Sequence, residues 1–472
     1  MLFRLIADPR LAQHAYLVGC QKTGEALVID PQRDADRYAR LAAAEGLRVT
    51  HVAETHIHAD FLSGAAALAD LTGAHLFLSA EGEDAGWGSA WAKRRDDVTF
   101  LRDGDTFCVG NVEIRAVHTP GHTPEHLSFL VTAAGSETPM GLASGDFVFV
   151  GDVGRPDLLE SAAGEAGAQE PAARQLFASV QRFLSFGDGL QVWPGHGAGS
   201  ACGKALGVVP QSTVGYERVT NAAIAAAARG QDAFVAEVLA GQPEPPLYFA
   251  RMKRLNRDGV PLLAALPTPR ALAPDELADL DRAGILGALV LDTRAERSGF
   301  MAAHLPGSLF TPFEATFNTV AGSYVTDPET PLVLIIPEAD VDAAVRDLVH
   351  VGLDHVVAYA TPDTLSTVLQ REGTAASIPE VTFEAVVDRE SGASVLDVRR
   401  ADEFAAGHVP GAVHIAHVRL AGRLDDVPAG APLYVYCQSG VRSAVASALL
   451  ARAGFDVRYV NDRFSRYRDL AG

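Results

Sequence analysis

The sequence predicts an α/β protein of several domains, and three observations support this prediction. Residues 1–130 alternate short β-like runs, rich in branched and aromatic residues, with helical stretches, as in a mixed sheet flanked by helices. Residues 161–240 are Ala-rich and helical up to a Pro-rich break at 241–246. Residues 290–307 and 395–411 then repeat one pattern, which predicts two smaller α/β domains.

The composition excludes several classes of protein. Hydrophobic residues make up 48% of the 472 residues and charged residues 21%, so each domain can bury a core. The net charge of −20 argues against binding to a nucleic-acid backbone, which needs clustered basic residues. Four widely spaced cysteines form neither a disulfide framework nor a zinc-finger pattern. No apolar run reaches the length of a membrane span and the N-terminus lacks a signal-peptide core, so we expect a cytoplasmic microbial protein.

These patterns define the expected domain boundaries. We predict a first domain at 1–245, a linker at 246–268, and two copies of a smaller domain at 269–372 and 378–472. Each copy of the repeat contains Leu-Asp-x-Arg, a helical stretch and His-(Leu/Val)-Pro-Gly, followed by a second β-run.

Histidine and aspartate residues of the first domain cluster at the ends of β-runs. They lie in four segments: His56, His58 and Asp60; His118, His122 and His126; Asp146 and Asp152; and His196. A single histidine at a strand end is usually structural, but four such segments are hard to explain by chance. Histidine and carboxylate side chains are typical metal ligands, so the sequence predicts a metal site here.

This pattern resembles the metallo-β-lactamase superfamily over about residues 1–245, which implies an αββα sandwich. The family motif is His-x-His-x-Asp-His, and two metal ions can bind there. Here the motif is His56-Ile-His58-Ala-Asp60, followed by Phe61 where the second metal's histidine would stand. Because a phenyl ring cannot coordinate a metal, a binuclear zinc hydrolase is less expected.

Within this superfamily, the persulfide dioxygenases bind a single iron through two histidines and one aspartate. The resemblance implies one Fe(II) per chain, held by His56, His122 and Asp146. Two histidines and one carboxylate leave open coordination positions for a substrate and O2. His58, Asp60 and His196 are then expected to orient these ligands rather than bind the iron.

Other residues of the first domain receive less specific predictions. The segment GDVGRPDL resembles a stretch of the persulfide dioxygenases and suggests that Arg155 binds substrate. Cys202, six residues after His196, is a candidate sulfur relay or equally a buried structural thiol. Structural roles are expected for His118 and His126, and core packing for Cys20 and Cys108.

The second copy of the repeat carries a candidate nucleophile. Cys437 follows a β-run and stands before a tight loop and a helix start. Successive backbone N–H groups and the positive end of the helix would stabilise a thiolate there. Arg442 is expected to fix the loop and to add positive charge.

This loop resembles the Cys-x-x-x-x-Arg loop of the rhodanese sulfurtransferases, which holds a cysteine persulfide. The resemblance implies catalytic Cys437 and Arg442, with substrate bound by the loop residues Gln438, Ser439, Gly440 and Val441. Related Cys-x5-Arg phosphatases have one residue more, so phosphate ester chemistry is less expected. The segment 460–462 departs from the family, which usually has a pair of glycines there.

The first copy of the repeat has no thiol at the corresponding position. Its β-run continues into Pro337, Glu338 and Asp340, whose carboxylates would repel anionic sulfur compounds. We therefore expect an inactive rhodanese-like domain that serves as a spacer.

The order of the domains resembles fusions of a persulfide dioxygenase with a sulfurtransferase. It implies that the terminal sulfur of a low-molecular-weight thiol persulfide is oxidised to sulfite with O2, and that Cys437 carries sulfur into or out of thiosulfate. Both directions of sulfur flow fit the sequence, and the carrier thiol stays open. The family also suggests a homo-oligomer. Two alternatives remain: a zinc-dependent thioester hydrolase of the glyoxalase II kind, and a non-catalytic persulfide carrier or sensor.

Overall fold

The computed structural model of the protein describes residues 1–429 and 432–471. The chain divides into two units, and both are interrupted in sequence near the Pro-rich break. The first contains Met1–Pro245 and Phe249–Ala264, and the second contains Pro246–Tyr248 and Ala265–Gly472.

The first unit contains two six-stranded sheets, each with its strands in a simple chain order. One sheet consists of β1 (Leu2–Asp8), β2 (Gln13–Cys20), β3 (Glu25–Ile29), β4 (Arg48–Ala53), β5 (His75–Ser79) and β6 (Val98–Leu101). The other consists of β7 (Thr106–Val109), β8 (Val112–His118), β9 (Leu127–Thr132), β10 (Gly141–Gly145), β11 (Gln191–Pro194) and β12 (Ser212–Thr213). The pairings β3–β4–β5–β6 and β10–β11 are parallel.

Eight helices accompany these sheets. They are α1 (Asp36–Ala44), α2 (Ala65–Thr72), α3 (Leu158–Ser161), α4 (Gln169–Phe183), α5 (Val214–Thr220), α6 (Ala222–Ala227), α7 (Gln231–Leu239) and α8 (Phe249–Asp258). One apolar cluster, with Val18 and Phe129, joins the facing surfaces of the two sheets. Separate clusters pack α1 and α2 on the first sheet, and α4, α6 and α7 on the second. The predicted αββα sandwich is therefore confirmed.

The second unit contains two five-stranded sheets whose strand orders are equivalent. One runs β13 (Arg270–Ala271), β17 (Val356–Ala360), β16 (Leu332–Ile335), β14 (Leu289–Asp292) and β15 (Leu309–Phe310). The other runs β18 (Glu380–Val381), β22 (Val457–Val460), β21 (Leu433–Tyr436), β19 (Ser394–Asp397) and β20 (Val413–His414). All pairings in both sheets are parallel, so the repeated sequence corresponds to a repeated topology.

Helices connect these parallel strands, as parallel pairing requires. In the first copy they are α9 (Pro274–Ala278), α10 (Arg297–Ala302), α11 (Phe317–Tyr324), α12 (Val341–His350) and α13 (Pro362–Leu369). In the second copy they are α14 (Phe383–Val387), α15 (Ala401–Ala405), α16 (Val441–Arg452) and α17 (Phe464–Ala471).

The segment predicted as a linker, 246–268, is partly helical. It contains α8, which belongs to the first unit and buries Met252, Lys253 and Asn256. The Pro-rich break suggested a linker, but the apolar positions beyond it give α8 a buried face, which decides where the segment packs.

No helix among the described residues has the length and the apolar character needed to cross a membrane.

Candidate metal and thiol sites

The predicted metal ligands stand where strands of the two sheets end. His56 follows β4, Asp146 follows β10 directly, and His122 lies in the loop between β8 and β9. Their ligand atoms lie within 4.8 Å of one another, and all three residues are buried. The structure therefore brings together the three residues that the sequence predicted as ligands, from segments 90 residues apart in the chain.

The three side chains present unpaired atoms to a common point. Asp146 Oδ2 lies 3.9 Å from His56 Nε2 and 3.7 Å from His122 Nε2. Both Nε2 atoms and both carboxylate oxygens are buried without a hydrogen-bond partner. Such orphaned atoms are rare in proteins and need an explanation. A divalent cation would satisfy all of them, so these residues fit a metal ion.

Hydrogen bonds on the far side of each imidazole set its orientation. His56 Nδ1 lies 2.9 Å from Thr55 Oγ1, and His122 Nδ1 lies 3.1 Å from the carbonyl oxygen of Arg155. A partner on Nδ1 directs Nε2 into the pocket, as is usual for metal-binding histidines. Both histidines are therefore held in the orientation that a metal requires.

Electrostatics in the pocket also favour a cation. Burial raises the pKa of Asp146 to about 6, with Asp60 adding to the shift. Burial, and then neighbouring positive groups, hold the pKa of His56 and of His122 well below the usual value. Neutral imidazole is the form that binds a metal, and a bound cation would repay the cost of ionising Asp146 in a buried place.

A second set of donor atoms lies beside the first. Asp60, His196 and Cys202 are buried, and their ligand atoms lie within 4.8 Å of one another. His196 Nε2 is 3.4 Å from Asp60 Oδ2 and 3.4 Å from Asp146 Oδ1, so Asp146 faces both sets. Phe61 is fully buried beside His58 and supplies no ligand. Burial holds the pKa of the Cys202 thiol well above its usual value, so the thiol is protonated at neutral pH unless a cation binds it.

His58 points away from the predicted metal ligands. Its Nε2 lies 3.3 Å from Asp30 Oδ1 and 3.1 Å from Glu54 Oε2. Burial opposes the charged form of His58, but these carboxylates outweigh it and hold the pKa well above the usual value. Asp30 also accepts hydrogen bonds from the amide and the hydroxyl of Thr55, the residue beside Nδ1 of His56. His58 thus anchors the segment that orients His56.

Arg155 has its guanidinium engaged inside the protein. It forms two hydrogen bonds to Asp157, of 3.0 and 2.7 Å, and donates to the carbonyl oxygens of Ala201 and Pro243. These contacts tie the chain segment before Cys202 to the site. Substrate binding by Arg155 stays a prediction, and the observed contacts indicate a positioning function.

The remaining histidines and cysteines of this unit mostly match their predicted structural roles. His118 bonds to the carbonyl oxygen of Pro124, and His126 Nε2 accepts a hydrogen bond from the amide of Asp146. Cys20 is buried, as expected. Cys108 is exposed, so the expectation of core packing was wrong; β7 lies at the edge of its sheet and turns this side chain outward.

Sequence reasoning missed two charged residues near the metal ligands. Glu125 is buried, and its Oε1 accepts hydrogen bonds from the amide of Ile57 and the hydroxyl of Thr123, both 2.8 Å long. Lys253 on α8 is only 3% exposed. The sequence offers one indication for Lys253: it stands beside Met252 in an amphipathic segment whose apolar face is buried. The prediction of a linker at this segment hid that indication.

In the second unit, Cys437 follows β21 and lies at the start of a tight loop. The thiol is 1% exposed, and Ser443 Oγ donates to its sulfur at 3.4 Å. Gly440 has φ of +87°, and a Cβ there would lie 2.5 Å from Asn461 Oδ1, so only glycine fits. The hydroxyl of Tyr459 donates to the carbonyl oxygen of Gly440 at 2.9 Å. The loop therefore holds one backbone shape around the sulfur.

Arg442 fixes this loop from the outside. Its two Nη atoms donate to the carboxylate of Glu403 on α15, at 2.5 and 2.8 Å. Burial alone would raise the pKa of Glu403, but the bonds from Arg442 outweigh it and lower the pKa to about 2. The pair stays ionised at neutral pH and joins the first turn of α16 to α15.

In the first copy Ile336 directly follows β16, at the position that Cys437 has after β21, and Pro337 and Glu338 come next. The first copy also contacts the loop of the second copy, through Arg297 on α10. Arg297 Nε donates to Asn461 Oδ1 at 2.9 Å, and Asn461 packs against Gly440. Asn461, the departure noted in the sequence, thus links the two copies, and the first copy supports the loop rather than only separating domains.

Comparisons with known proteins agree with this geometry. The family described as Metallo-beta-lactamase superfamily matches residues 8–196, and the Rhodanese-like domain matches residues 383–469. A Staphylococcus aureus metallo-beta-lactamase of known structure is 39% identical, with a TM-score of 0.67, over 76% of this chain and 99% of that one. This share exceeds what the first unit alone could supply. The family assignment of residues 269–372 stays a prediction from the repeat.

Two curated relatives carry different functional names. A probable metallo-hydrolase of Burkholderia pseudomallei is 33% identical over 203 residues, 38% of this chain and 66% of its own length. The mitochondrial persulfide dioxygenase ETHE1 of Bos taurus is 28% identical over 200 residues, 42% of this chain and 68% of its own length. This chain spans just under two thirds of the first relative and 45% of each of the two that follow it, both named beta-lactamase hydrolase-like proteins.

The buried carboxylate of Asp146 should lower the stability of the metal-free protein at neutral pH, although metal binding requires it. Because the pKa of Asp146 is raised from 3.8 to about 6, its stabilising contribution to the metal-free protein is complete below pH 4 and is lost as pH rises through 6. Asp146→Asn should therefore raise the free energy of unfolding of metal-free protein at pH 8 by about 2–3 kcal/mol, with no gain at pH 4.

Urea unfolding of metal-free samples at the two pH values measures this difference, and metal analysis should show that the variant retains no iron. Asp157→Asn is the matched control, because it breaks an ion pair with Arg155 and should destabilise the protein at pH 8. A metal-free Asp146→Asn variant less stable than the wild type at pH 8 would contradict the prediction.

Proposed function

Since the chain belongs to the metallo-β-lactamase superfamily and carries a C-terminal rhodanese-like domain, we propose that it is an iron-dependent persulfide dioxygenase coupled to a sulfurtransferase. The observation that carries this proposal is the buried set His56, His122 and Asp146, whose unpaired atoms face one point. Similarity to a protein named as a persulfide dioxygenase supports it. One Fe(II) per chain is the proposed cofactor.

The first reaction converts a thiol persulfide, O2 and water to the free thiol, sulfite and two protons. His56, His122 and Asp146 would hold the iron, and this set of three ligands would leave positions open for the persulfide sulfur and for O2. Burial keeps both imidazoles neutral, and the partners of their Nδ1 atoms point the Nε2 atoms inward. Asp60 and His196 lie beside Asp146 and are proposed to orient it, as His58 supports the segment of His56.

The second reaction takes place at Cys437. The Cys437 thiolate takes the outer sulfur of a second thiol persulfide and releases the free thiol. The cysteine persulfide then transfers this sulfur to sulfite, the S–S bond breaks, and thiosulfate and the cysteine thiolate form. The proposed binding groups for the sulfur anion are the backbone N–H groups of the loop residues Gln438, Ser439, Gly440 and Val441. This loop leads into α16, whose first residue is Val441. Arg442 holds the loop in place through Glu403. The reverse transfer, from thiosulfate to a thiol acceptor, uses the same groups.

A thioester hydrolase is the second candidate, and one observation favours it. Asp60, His196 and Cys202 could hold a second ion beside Asp146, as a binuclear hydrolase requires. Phe61 argues against this candidate, because the motif's own ligand is absent. Without a second ion, Cys202 is the proposed sulfur relay, although its protonated thiol is a poor nucleophile. The cytoplasmic location and a homo-oligomer stay predictions.

The test of the first reaction measures O2 uptake with glutathione persulfide and coenzyme A persulfide, on protein of known metal content. We expect iron near one per chain and O2 uptake with sulfite or thiosulfate as product. His122→Ala should lose iron and at least about 100-fold of the uptake, because a ligand is worth more than its supporting residues. His118→Ala should keep the iron and the O2 uptake, because the ring of His118 bonds to the carbonyl oxygen of Pro124 and not to the ligand set.

Two zinc ions per chain, without O2 uptake on either persulfide, would contradict the dioxygenase and leave the hydrolase. Iron in the site without O2 uptake on any persulfide would instead point to a carrier or sensor.

The coupling of the two reactions predicts a change of product in Cys437→Ser. Thiosulfate should disappear and sulfite should accumulate, while O2 uptake stays within about twofold of the wild type, because the iron ligands are untouched. Ion chromatography of both anions measures the ratio. Cys108→Ser, which alters an exposed thiol, is the control and should leave the ratio unchanged. Unchanged thiosulfate in Cys437→Ser would exclude Cys437 as the sulfur carrier.

A further inference from the structure

Lys253 is a buried cation without a hydrogen-bonding partner. It lies on α8, is 3% exposed, and its Nζ forms no hydrogen bond in the part of the chain that the structure describes. Its Nζ lies over the face of Trp87, 4.9 Å from the centre of the ring. Lysine is rarely buried unless it is paired, because removing an ammonium group from water is costly. The position of Lys253 therefore needs a reason.

Lys253 lies close to the segment of the predicted metal ligands: its Nζ stands over Trp87, and Trp87 packs in one apolar cluster with Ile57, the residue between His56 and His58. Its charge also acts on these ligands. It lowers the pKa of both His56 and His122, and Asp146 in turn stabilises the ammonium. Glu125 is its strongest stabilising neighbour, but the two do not form an ion pair within 4.0 Å, and Glu125 Oε2 also has no hydrogen-bond partner. Two buried polar atoms without hydrogen-bond partners, Lys253 Nζ and Glu125 Oε2, thus belong to residues that pack around the motif segment.

Docking of α8 does not depend on Lys253. Asn256 fastens the helix to the motif loop, donating to the carbonyl oxygens of His58 and Phe61 at 2.8 and 2.7 Å. It also accepts a hydrogen bond from the amide of Ser63 at 2.9 Å, and Met252 is fully buried. These contacts hold α8 in place without the ammonium group, whose burial without a partner costs free energy.

We propose that Lys253 is the anion-binding residue of the metal pocket and that it holds small sulfur anions beside His56, His122 and Asp146. This inference rests on the proposed function for the identity of the anions, which are the terminal sulfur of a persulfide and the product sulfite. An ammonium group offers three donors and a full charge. The ammonium group would attract the charged sulfur of a persulfide, whereas the thioester group of a hydrolase substrate carries no charge. Lys253 would therefore favour binding of a persulfide over binding of a thioester.

The test compares Lys253→Met with the wild type in two binding arms. In the first arm, calorimetry measures the binding of sodium sulfite to the full-length protein, both iron-loaded under anaerobic conditions and metal-free. In the second arm, the KM for glutathione persulfide is measured on iron-loaded protein. We expect the variant to weaken sulfite binding and to raise KM by about 10- to 100-fold, as for a lost hydrogen bond to a charged group. Iron per chain should be unchanged.

Two further variants separate binding from folding. Lys93→Met removes an exposed lysine paired with Glu83 and should change neither arm. Lys253→Arg retains the charge and should recover part of the sulfite affinity. Thermal unfolding of metal-free Lys253→Met should occur at or above the wild-type temperature, because the variant removes a buried unpaired charge.

A shift in only one arm identifies the anion, either persulfide or sulfite, that Lys253 binds. Unchanged sulfite affinity together with unchanged KM would overturn the proposal and leave the dioxygenase intact. If the wild type consumes no O2, the dioxygenase fails, and loss of sulfite binding in Lys253→Met would still establish the anion site.

Discussion

Both carboxylate oxygens of Asp146 are buried, neither accepts a hydrogen bond, and each faces a different set of donor atoms. In a protein interior an ionised carboxylate in this condition costs several kcal/mol unless a cation compensates it. The arrangement of the residues around Asp146 depends on this one constraint. Because the Nδ1 atoms of His56 and His122 meet partners on the far side, their Nε2 atoms form no hydrogen bond to the carboxylate, and burial favours its protonated form in the metal-free site. A bound cation would favour the ionised form.

The fold supplies this arrangement through its strand ends. Parallel pairing of β10 with β11 brings Asp146 and His196 to one edge, and β4 of the facing sheet delivers His56. Because rigid strands end just before the ligands, the donor atoms hold their separation. Supporting residues then fix the direction of each ring, and the ion cluster of His58, Asp30 and Glu54 anchors the motif segment.

In the second unit, backbone N–H groups rather than a metal ion would stabilise a negative charge. A sulfur anion at Cys437 would face the N-terminus of α16, and the loop keeps its shape through Gly440 and the ion pair of Arg442 with Glu403. The first copy contributes a contact beside this loop through Arg297 and Asn461. The two copies thus share a topology but differ in their residues: one has Cys437 after its strand, and the other supplies a contact to Asn461.

The sequence predicted the sandwich and the assembly of His56, His122 and Asp146, because periodic β-runs and ligands at their ends are local patterns. It also predicted the tight loop after Cys437, whose cysteine, glycine and arginine lie within six residues. It did not reveal α8 as part of the first unit, since a Pro-rich break looked like a linker. Lys253 and Glu125 were missed because their importance comes only from burial in a tertiary pocket. Asn461 looked like a departure, and only its contact across two copies explains it.

The most direct test of the metal site is anomalous diffraction from crystals of the iron-loaded protein, recorded on both sides of the iron and the zinc absorption edges. We predict one iron peak within bonding distance of His56 Nε2, His122 Nε2 and an oxygen of Asp146, at about 2.0–2.2 Å for nitrogen and oxygen ligands. A second metal peak among Asp60, His196 and Cys202, or zinc alone in the first position, would contradict a mononuclear iron centre.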